Sequence, residues 1–292
     1  MKILIVGANG QLGSDCCKLL ASENETVGCD IPVINIANPK SVEEILSDRK
    51  PDVIVNCAAY TAVDNCESER DLAWQVNAEG PGHLAAGARR IGARLIHVST
   101  DYVFDGKKPV PAHYIEGDPT NPLSEYGKSK LAGEQAVIKQ GGNYLILRTA
   151  WLYSAWGKNF LKTMLRLALS DPGREMKVVD DQYGSLTWSS TLARQISKLL
   201  RSDLSGIAHT TSEGYSSWYE AARYFLDGMG VQYAMRPCTT ADYPTPAHRP
   251  ANSILENGAL KQAGISVFVD WREDIDLFIK QYKDQLLDEA RG

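Results

Sequence analysis

No stretch of the sequence approaches the roughly 18 consecutive apolar residues of a membrane-spanning helix, so no membrane passage is expected. No basic stripe is present. Lys and Arg number 31 against 36 Asp and Glu, a formal net charge of −5, which gives no support for nucleic-acid binding. There is no C-x-x-C pair and no Cys/His cluster with zinc spacing. The six cysteines, Cys16, Cys17, Cys29, Cys57, Cys66 and Cys238, read as small, partly buried thiols. Repeats and low-complexity segments are also missing, and the proline-rich "DYPTPAHRP" (Asp242 to Pro250) reads as a shaped loop. The opening "MKILIVGANG" has an apolar run too short for a leader and meets glycines at once. It reads as a first strand, and the chain as cytoplasmic.

What is there is an ordinary soluble composition, 43% hydrophobic and 23% charged over 292 residues. That length fits one large α/β domain or two smaller ones. "KILIVGA" (Lys2 to Ala8) is a short continuous apolar run, the mark of a strand buried on both faces of a parallel sheet. Similar runs recur as "ETVGCD" near Val27, "PVINI" near Ile34, "DVIVNCAA" near Val55, "RLIHVST" near Ile96 and "YLILRTA" near Leu147. Helical patterns lie between most of them. "NPKSVEEILSDRK" offers Asn38 as a cap with Pro39 in the first turn, and "NAEGPGHLAAGARRIG" ends on the basic pair Arg89 and Arg90. Such alternation predicts βαβ units, right-handed crossovers and a ligand site beyond the carboxyl ends of the strands.

"GANGQLG" follows the first strand directly and opens a helix expected over Gln11 to Leu20. Gly7, Gly10 and Gly13 let a backbone approach a pyrophosphate, and the helix start offers free N–H groups and the positive end of a dipole. The G-x-x-G-x-x-G spacing resembles that of the extended branch of the short-chain dehydrogenase/reductase superfamily. Asp30 ends the second strand, where an acid holds the ribose 2′-hydroxyl of NAD and repels a 2′-phosphate. "CAA" (Cys57 to Ala59), with Tyr60, closes the expected fourth strand with small residues against which an adenosine could lie.

"HVSTDYVFDG" (His97 to Gly106) brings Ser99, Thr100 and Asp101 to the end of the expected fifth strand, and Tyr126 and Lys130 follow four residues apart in "SEYGKSKLAGE". Residues so spaced share one helix face. A phenol has a pKa near ~10, and a cation a few ångströms away lowers it toward the range where general acid catalysis works. Thr100 is then available to hydrogen-bond a carbonyl oxygen as charge develops. Two other acids are present. His97 reads as a packed core histidine, and His113 as a loop residue without an orienting partner.

Over nearly its whole length the chain resembles the dTDP-4-dehydrorhamnose reductase family. The resemblance rests on "GANGQLG", "VNCAAYTAVDNCE", "VNAEGPGHLA", "STDYVFDG", "NPLSEYGKSKLAGE", "LRTAWLY", "VVDDQYGSLTW" and "HRPANSIL". It implies a Rossmann-type doubly wound parallel sheet in residues 1–150, with a return segment near 172–206, and a smaller C-terminal α/β substrate-binding lobe from 151–171 and 207–292. It implies reduction of the 4-keto group of dTDP-4-dehydro-L-rhamnose by NADPH or NADH, the last step toward dTDP-L-rhamnose. Thr100, Tyr126 and Lys130 would be catalytic. Gly7, Gly10, Gln11, Leu12, Gly13, Asp30, Asn35, Ile36, Ala58, Ala59, Tyr60 and Tyr102, with Tyr126 and Lys130, would hold the cofactor. Thr100, Asp101, Trp151, Arg249 and Asn252 would meet the sugar nucleotide, a guanidinium pairing two phosphate oxygens at once. Relatives are described as homodimers with Mg2+ in some cases and as monomers in others; no metal-ligand cluster is visible, so no catalytic metal is expected. The chain departs from the family in "NIAN", with Asn35 and Asn38 where many relatives carry acids, which leaves NADH against NADPH open, and in "GSLTW". The competing readings are a reductase or epimerase of another nucleotide-linked 4-keto sugar, and a non-catalytic protein like the regulatory subunit of methionine adenosyltransferase.

Overall fold

The computed structural model describes residues 1–291. In chain order it begins β1 (Lys2–Val6), α1 (Gln11–Leu20), β2 (Glu25–Cys29), α2 (Pro39–Arg49), β3 (Val53–Asn56), α3 (Arg70–Trp74), α4 (Gly80–Ile91), β4 (Arg94–Thr100), α5 (Glu125–Gln140) and β5 (Tyr144–Thr149). With the later β10 (Gly206–His209) these strands form a six-stranded sheet in the order β10-β5-β4-β3-β1-β2. Every pairing in it is parallel. The apolar runs follow from this burial. Ile3 and Ile5 pack toward α1 and toward α7 (Ser189–Leu199), while Leu4 and Val6 pack toward α2 and α4. Both faces are covered, so neither set of alternating positions can be polar.

The chain leaves β1 toward β2 on one side and returns to β3 on the other. A crevice therefore opens at the carboxyl end of β1, as doubly wound sheets require. Asn38 caps α2 by accepting from the Lys40 N–H at 3.0 Å, as its sequence suggests.

"PVINI" is not a strand. The N–H groups of Val33 and Ile34 both turn back to the Asp30 carbonyl, at 2.7 and 3.1 Å. Ile34 and Ile36 are buried under the sheet edge while Val33 is exposed, an alternation that mimics a strand where none pairs beyond β2. The runs ending in "CAA" and "STD" are thus the third and fourth strands.

The remaining elements are β6 (Leu152–Tyr153), α6 (Phe160–Ser170), β7 (Glu175–Val179), β8 (Tyr183–Gly184), β9 (Thr187–Trp188), β11 (Ser216–Ser217), α8 (Trp218–Met229), β12 (Ala234–Cys238), β13 (Asn252–Ser253), α9 (Gly258–Gln262) and α10 (Trp271–Arg291). Leu161, Leu165, Trp188, Phe225, Trp271 and Phe278 centre a second core between α6, α8 and α10. The chain crosses between the two cores repeatedly. α7 packs on α1, and β10 completes the large sheet from within the stretch expected for the lobe. β7, within the expected return segment, pairs with β12 instead. Among the described residues no helix is long and apolar enough to cross a membrane.

Candidate active site

The glycine loop, the end of β4 and the start of α5 enclose a cleft of about 680 Å³, closed on the far side by Trp151, Phe160, Trp218 and Arg249. Gly10 caps α1, whose first turn carries no acidic residue, so its free N–H groups and dipole face the cleft unopposed. A Cβ on Gly13 would stand 2.0 Å from the Gly7 carbonyl oxygen, so only glycine lets α1 start this close to β1. An open helix start, glycine-packed and lined by Gln11 and Leu12, fits a pyrophosphate.

α5 begins with Ser124 accepting the Gly127 N–H at 3.2 Å. A Cβ on Gly127 would lie 2.3 Å from the Tyr102 carbonyl, so this glycine lets the helix press against the turn after β4. The rings of Tyr102 and Tyr126 meet edge to face at 5.4 Å. Lys130, one turn on, is 2% exposed and donates to the Val98 carbonyl at 2.7 Å. Burial pushes its pKa down to about 8, against the pull of Glu134. Burial also pushes the Tyr126 phenol well up, with the Thr100 hydroxyl acting the other way. The expected lowering of Tyr126 by Lys130 is therefore reversed: desolvation outweighs the Thr100 hydroxyl at Tyr126 and the Glu134 carboxylate at Lys130.

Thr100 does not present its proton to the cleft. It donates to Asp101 Oδ1 at 2.9 Å and accepts from the Tyr102 N–H at 3.2 Å. Asp101 is itself buried, and burial pushes its carboxyl up to about 6. Beneath the site, Arg148 grips Glu134 through two hydrogen bonds, of 2.9 and 2.7 Å, and Ser99 donates to the same carboxylate at 2.5 Å.

A family model described as the RmlD substrate binding domain matches residues 1–284. A dTDP-4-dehydrorhamnose reductase of Burkholderia thailandensis is 43% identical over 98% of this chain and all of its own. The chain belongs to the dTDP-4-dehydrorhamnose reductase family. Among solved structures, a dTDP-4-dehydrorhamnose reductase of Clostridium acetobutylicum superposes with a TM-score of 0.93 at 42% identity, covering 97% of this chain and 100% of that one. One of Bacillus anthracis, in complex with NADP, gives 0.92 at 37%, covering 96% and 99%.

Against this family's expected site, Gly10, Gln11, Leu12, Gly13, Ala59, Thr100, Asp101, Tyr102, Tyr126, Lys130, Trp151 and Arg249 all line the one cleft. Gly7 lies behind the loop, its N–H on the Cys29 carbonyl, and Ala58 packs into the core. Asp30 accepts from the N–H groups of Asn9 and Ile31, at 3.0 and 2.8 Å. Asn35 caps the neighbouring turn by accepting from Ala37, and Ile36 is buried against Gly80. The Tyr60 hydroxyl donates to Glu69. Asn252 is not brought to the cleft. It is 1% exposed, and its amide donates to the Lys108 and Ala112 carbonyls at 3.1 and 2.7 Å.

Arg249 reaches the cleft already paired with Asp64, at 2.9 Å. Asp64 was not legible as its partner, since nothing local links residues so far apart. Trp218 was also missed. Its ring stacks on Trp151 with centroids 3.5 Å apart, and Trp151 adopts a positive φ of 48°. That backbone is uncommon for a bulky residue and points to a constrained position. His97 is a packed core histidine, its Nδ1 3.0 Å from the Asn56 amide, and His113 is exposed in a loop. Among the described residues no group of three His, Cys, Asp or Glu side chains is placed to hold a metal.

Proposed function

We propose that this protein reduces the 4-keto group of dTDP-4-dehydro-L-rhamnose to give dTDP-L-rhamnose, using NADPH or NADH. The observation that carries it is the convergence of Thr100, Tyr126 and Lys130 on a cleft continuous with the glycine loop, in a chain aligned with its reductase relatives over nearly its full length. A bound nicotinamide supplies hydride chemistry at the sugar carbon. The chain's own residues do the rest. The start of α1 binds the pyrophosphate. Tyr126 gives its proton to the oxygen that was the ketone. Lys130 spends one of three N–H donors on Val98 and keeps two for the ribose and for steadying the Tyr126 oxygen.

The division of labour follows the two cores, with the large sheet carrying the cofactor and the lobe carrying the sugar nucleotide. A second groove of about 670 Å³ shares Phe160, Trp218 and Arg249 with the cleft and runs between α6 and β7. Met164 and Val178 offer it apolar walls for a base, and Arg174, Lys177 and Arg249 offer cations for a diphosphate. The test is loss of reduced-nicotinamide absorbance with the dTDP-4-keto-L-sugar generated in place by the preceding reactions, with NADH and NADPH in parallel. Sugar-dependent consumption supports the reading. No consumption with either cofactor, from protein that binds one, refutes it.

A further inference from the structure

Asp101 has one satisfied oxygen and one orphan. Oδ1 accepts from Thr100, while Oδ2 is buried with no hydrogen-bond partner, and the residue is 2% exposed on the wall of the cleft. Neither Tyr126 nor Lys130 chemistry uses it. An ionised carboxylate can only accept, so it holds the single Thr100 proton. The Tyr102 N–H occupies a lone pair of the same hydroxyl, so Thr100 then has nothing left to donate. A protonated carboxyl can donate to Thr100 instead, and the Thr100 proton is free to turn outward.

We propose that Asp101 is a positioning residue whose protonation decides where Thr100 donates: to the carboxylate when Asp101 is ionised, and into the cleft, at the ketone oxygen, when Asp101 carries its proton. The proposal rests on the reductase reading above. The groups around Asp101 are few. Ser253 of β13, Thr100 and the backbone N–H groups of Asp101 and Tyr102 pull its carboxyl down, and burial outweighs them together. Tyr126 and Lys130 face the cleft from α5, Tyr102 follows Asp101 in the chain, and the Arg249–Asp64 pair lies beyond Tyr102. None of these donates to Oδ2. The buried orphan oxygen therefore favours the neutral acid.

The test is the pH profile of kcat/KM, which reads the free protein, for wild type and Asp101→Asn. An amide is neutral at every pH and can donate to Thr100. Wild type is expected to fall tenfold per pH unit from about pH 6, with a further fall from about pH 8 as Lys130 loses its proton. Asp101→Asn is expected to lose the first fall and keep the second. A variant with the wild-type profile, or one inactive at every pH while still folded and binding cofactor, overturns the proposal. Infrared difference spectra of wild type minus Asp101→Asn read the carboxyl without turnover. The protonated-carboxyl band should titrate near pH 6; a midpoint near the ordinary ~4 overturns the proposal. Absence of turnover in wild type strikes the reductase reading instead, and the infrared titration still decides Asp101.

Discussion

Glu134→Ala is expected to be among the most destabilising single substitutions in the large-sheet half of the protein. Glu134 and Arg148 are 1% and 3% exposed, and the carboxylate takes three hydrogen bonds, two from Arg148 and one from Ser99. Removing it leaves a buried guanidinium held only by its position over the Phe104 ring, 5.2 Å away. Breaking one partner of such a pair costs about 3–5 kcal/mol. That is a large part of the roughly 5–15 kcal/mol that folded proteins have. Much of the cost is an uncompensated charge rather than a lost attraction. The double variant Glu134→Leu with Arg148→Met should therefore recover most of it, to within about 1 kcal/mol of wild type. Equilibrium urea unfolding followed by circular dichroism reads both. A single variant costing less than about 1 kcal/mol, or a double variant no better than the single, would refute the reasoning. The pair has a functional reading too. Glu134 raises the pKa of Lys130, so its loss should move the alkaline limb of turnover to lower pH.

Three further outcomes follow from the same contacts. Tyr126→Phe should lose on the order of 10²–10⁴-fold in turnover with cofactor affinity nearly unchanged, measured by steady-state kinetics beside a binding titration; near-wild-type turnover would remove Tyr126 from proton transfer. Asp15→Ala strands three donors, the Trp156 indole at 2.8 Å and the hydroxyls of Ser154 and Ser189, and should cost about 1–3 kcal/mol with a shift in tryptophan emission, whereas a thermal midpoint equal to wild type would contradict it. Burial lowers His209 from 6.5 to about 4, so its contribution to stability is complete above pH 6.5 and is lost as pH falls toward 4. That is about 3 kcal/mol, and His209→Gln should flatten unfolding free energy across this window.

The parts legible in the sequence are those written in local patterns. Buried parallel strands need apolar residues on both faces, so five of the six large-sheet strands stand out as runs. A glycine loop between a strand and a helix, and a tyrosine one turn before a lysine, carry their geometry in their spacing. The illegible parts depend on distant segments. β10 reads as weakly as any loop, and becomes a strand because β5 offers it an edge. β8 is two residues long and exists through β11 and β13. Asn252 has the chemistry of a ligand contact, but the loop bearing Lys108 and Ala112 lies across it and takes its donors. Arg249 reads as a diphosphate contact, and its pairing with the distant Asp64 appears only once the chain is folded.

The direction of the Tyr126 shift is the most instructive difference. Two groups four residues apart on a helix suggest a cation lowering a phenol. Both are buried, and Lys130 is turned toward a carbonyl, so desolvation dominates each. The lysine keeps most of its charge at neutral pH, but it begins to lose its proton toward pH 8 and its ammonium is spent on the Val98 carbonyl. Negative charge at the glycine loop acts on Lys130 as Glu134 already does, favouring the ammonium, and a fully charged ammonium in turn favours the phenolate. The lowering expected from sequence is thus a property of the loaded cleft. Lys130 should titrate near pH 8 in the free protein and distinctly higher with reduced cofactor bound. Nuclear magnetic resonance of a lysine-labelled sample, assigned with Lys130→Arg, measures both states. An unchanged Lys130 titration on cofactor binding would mean that the coupling between cofactor charge and the catalytic pair does not exist.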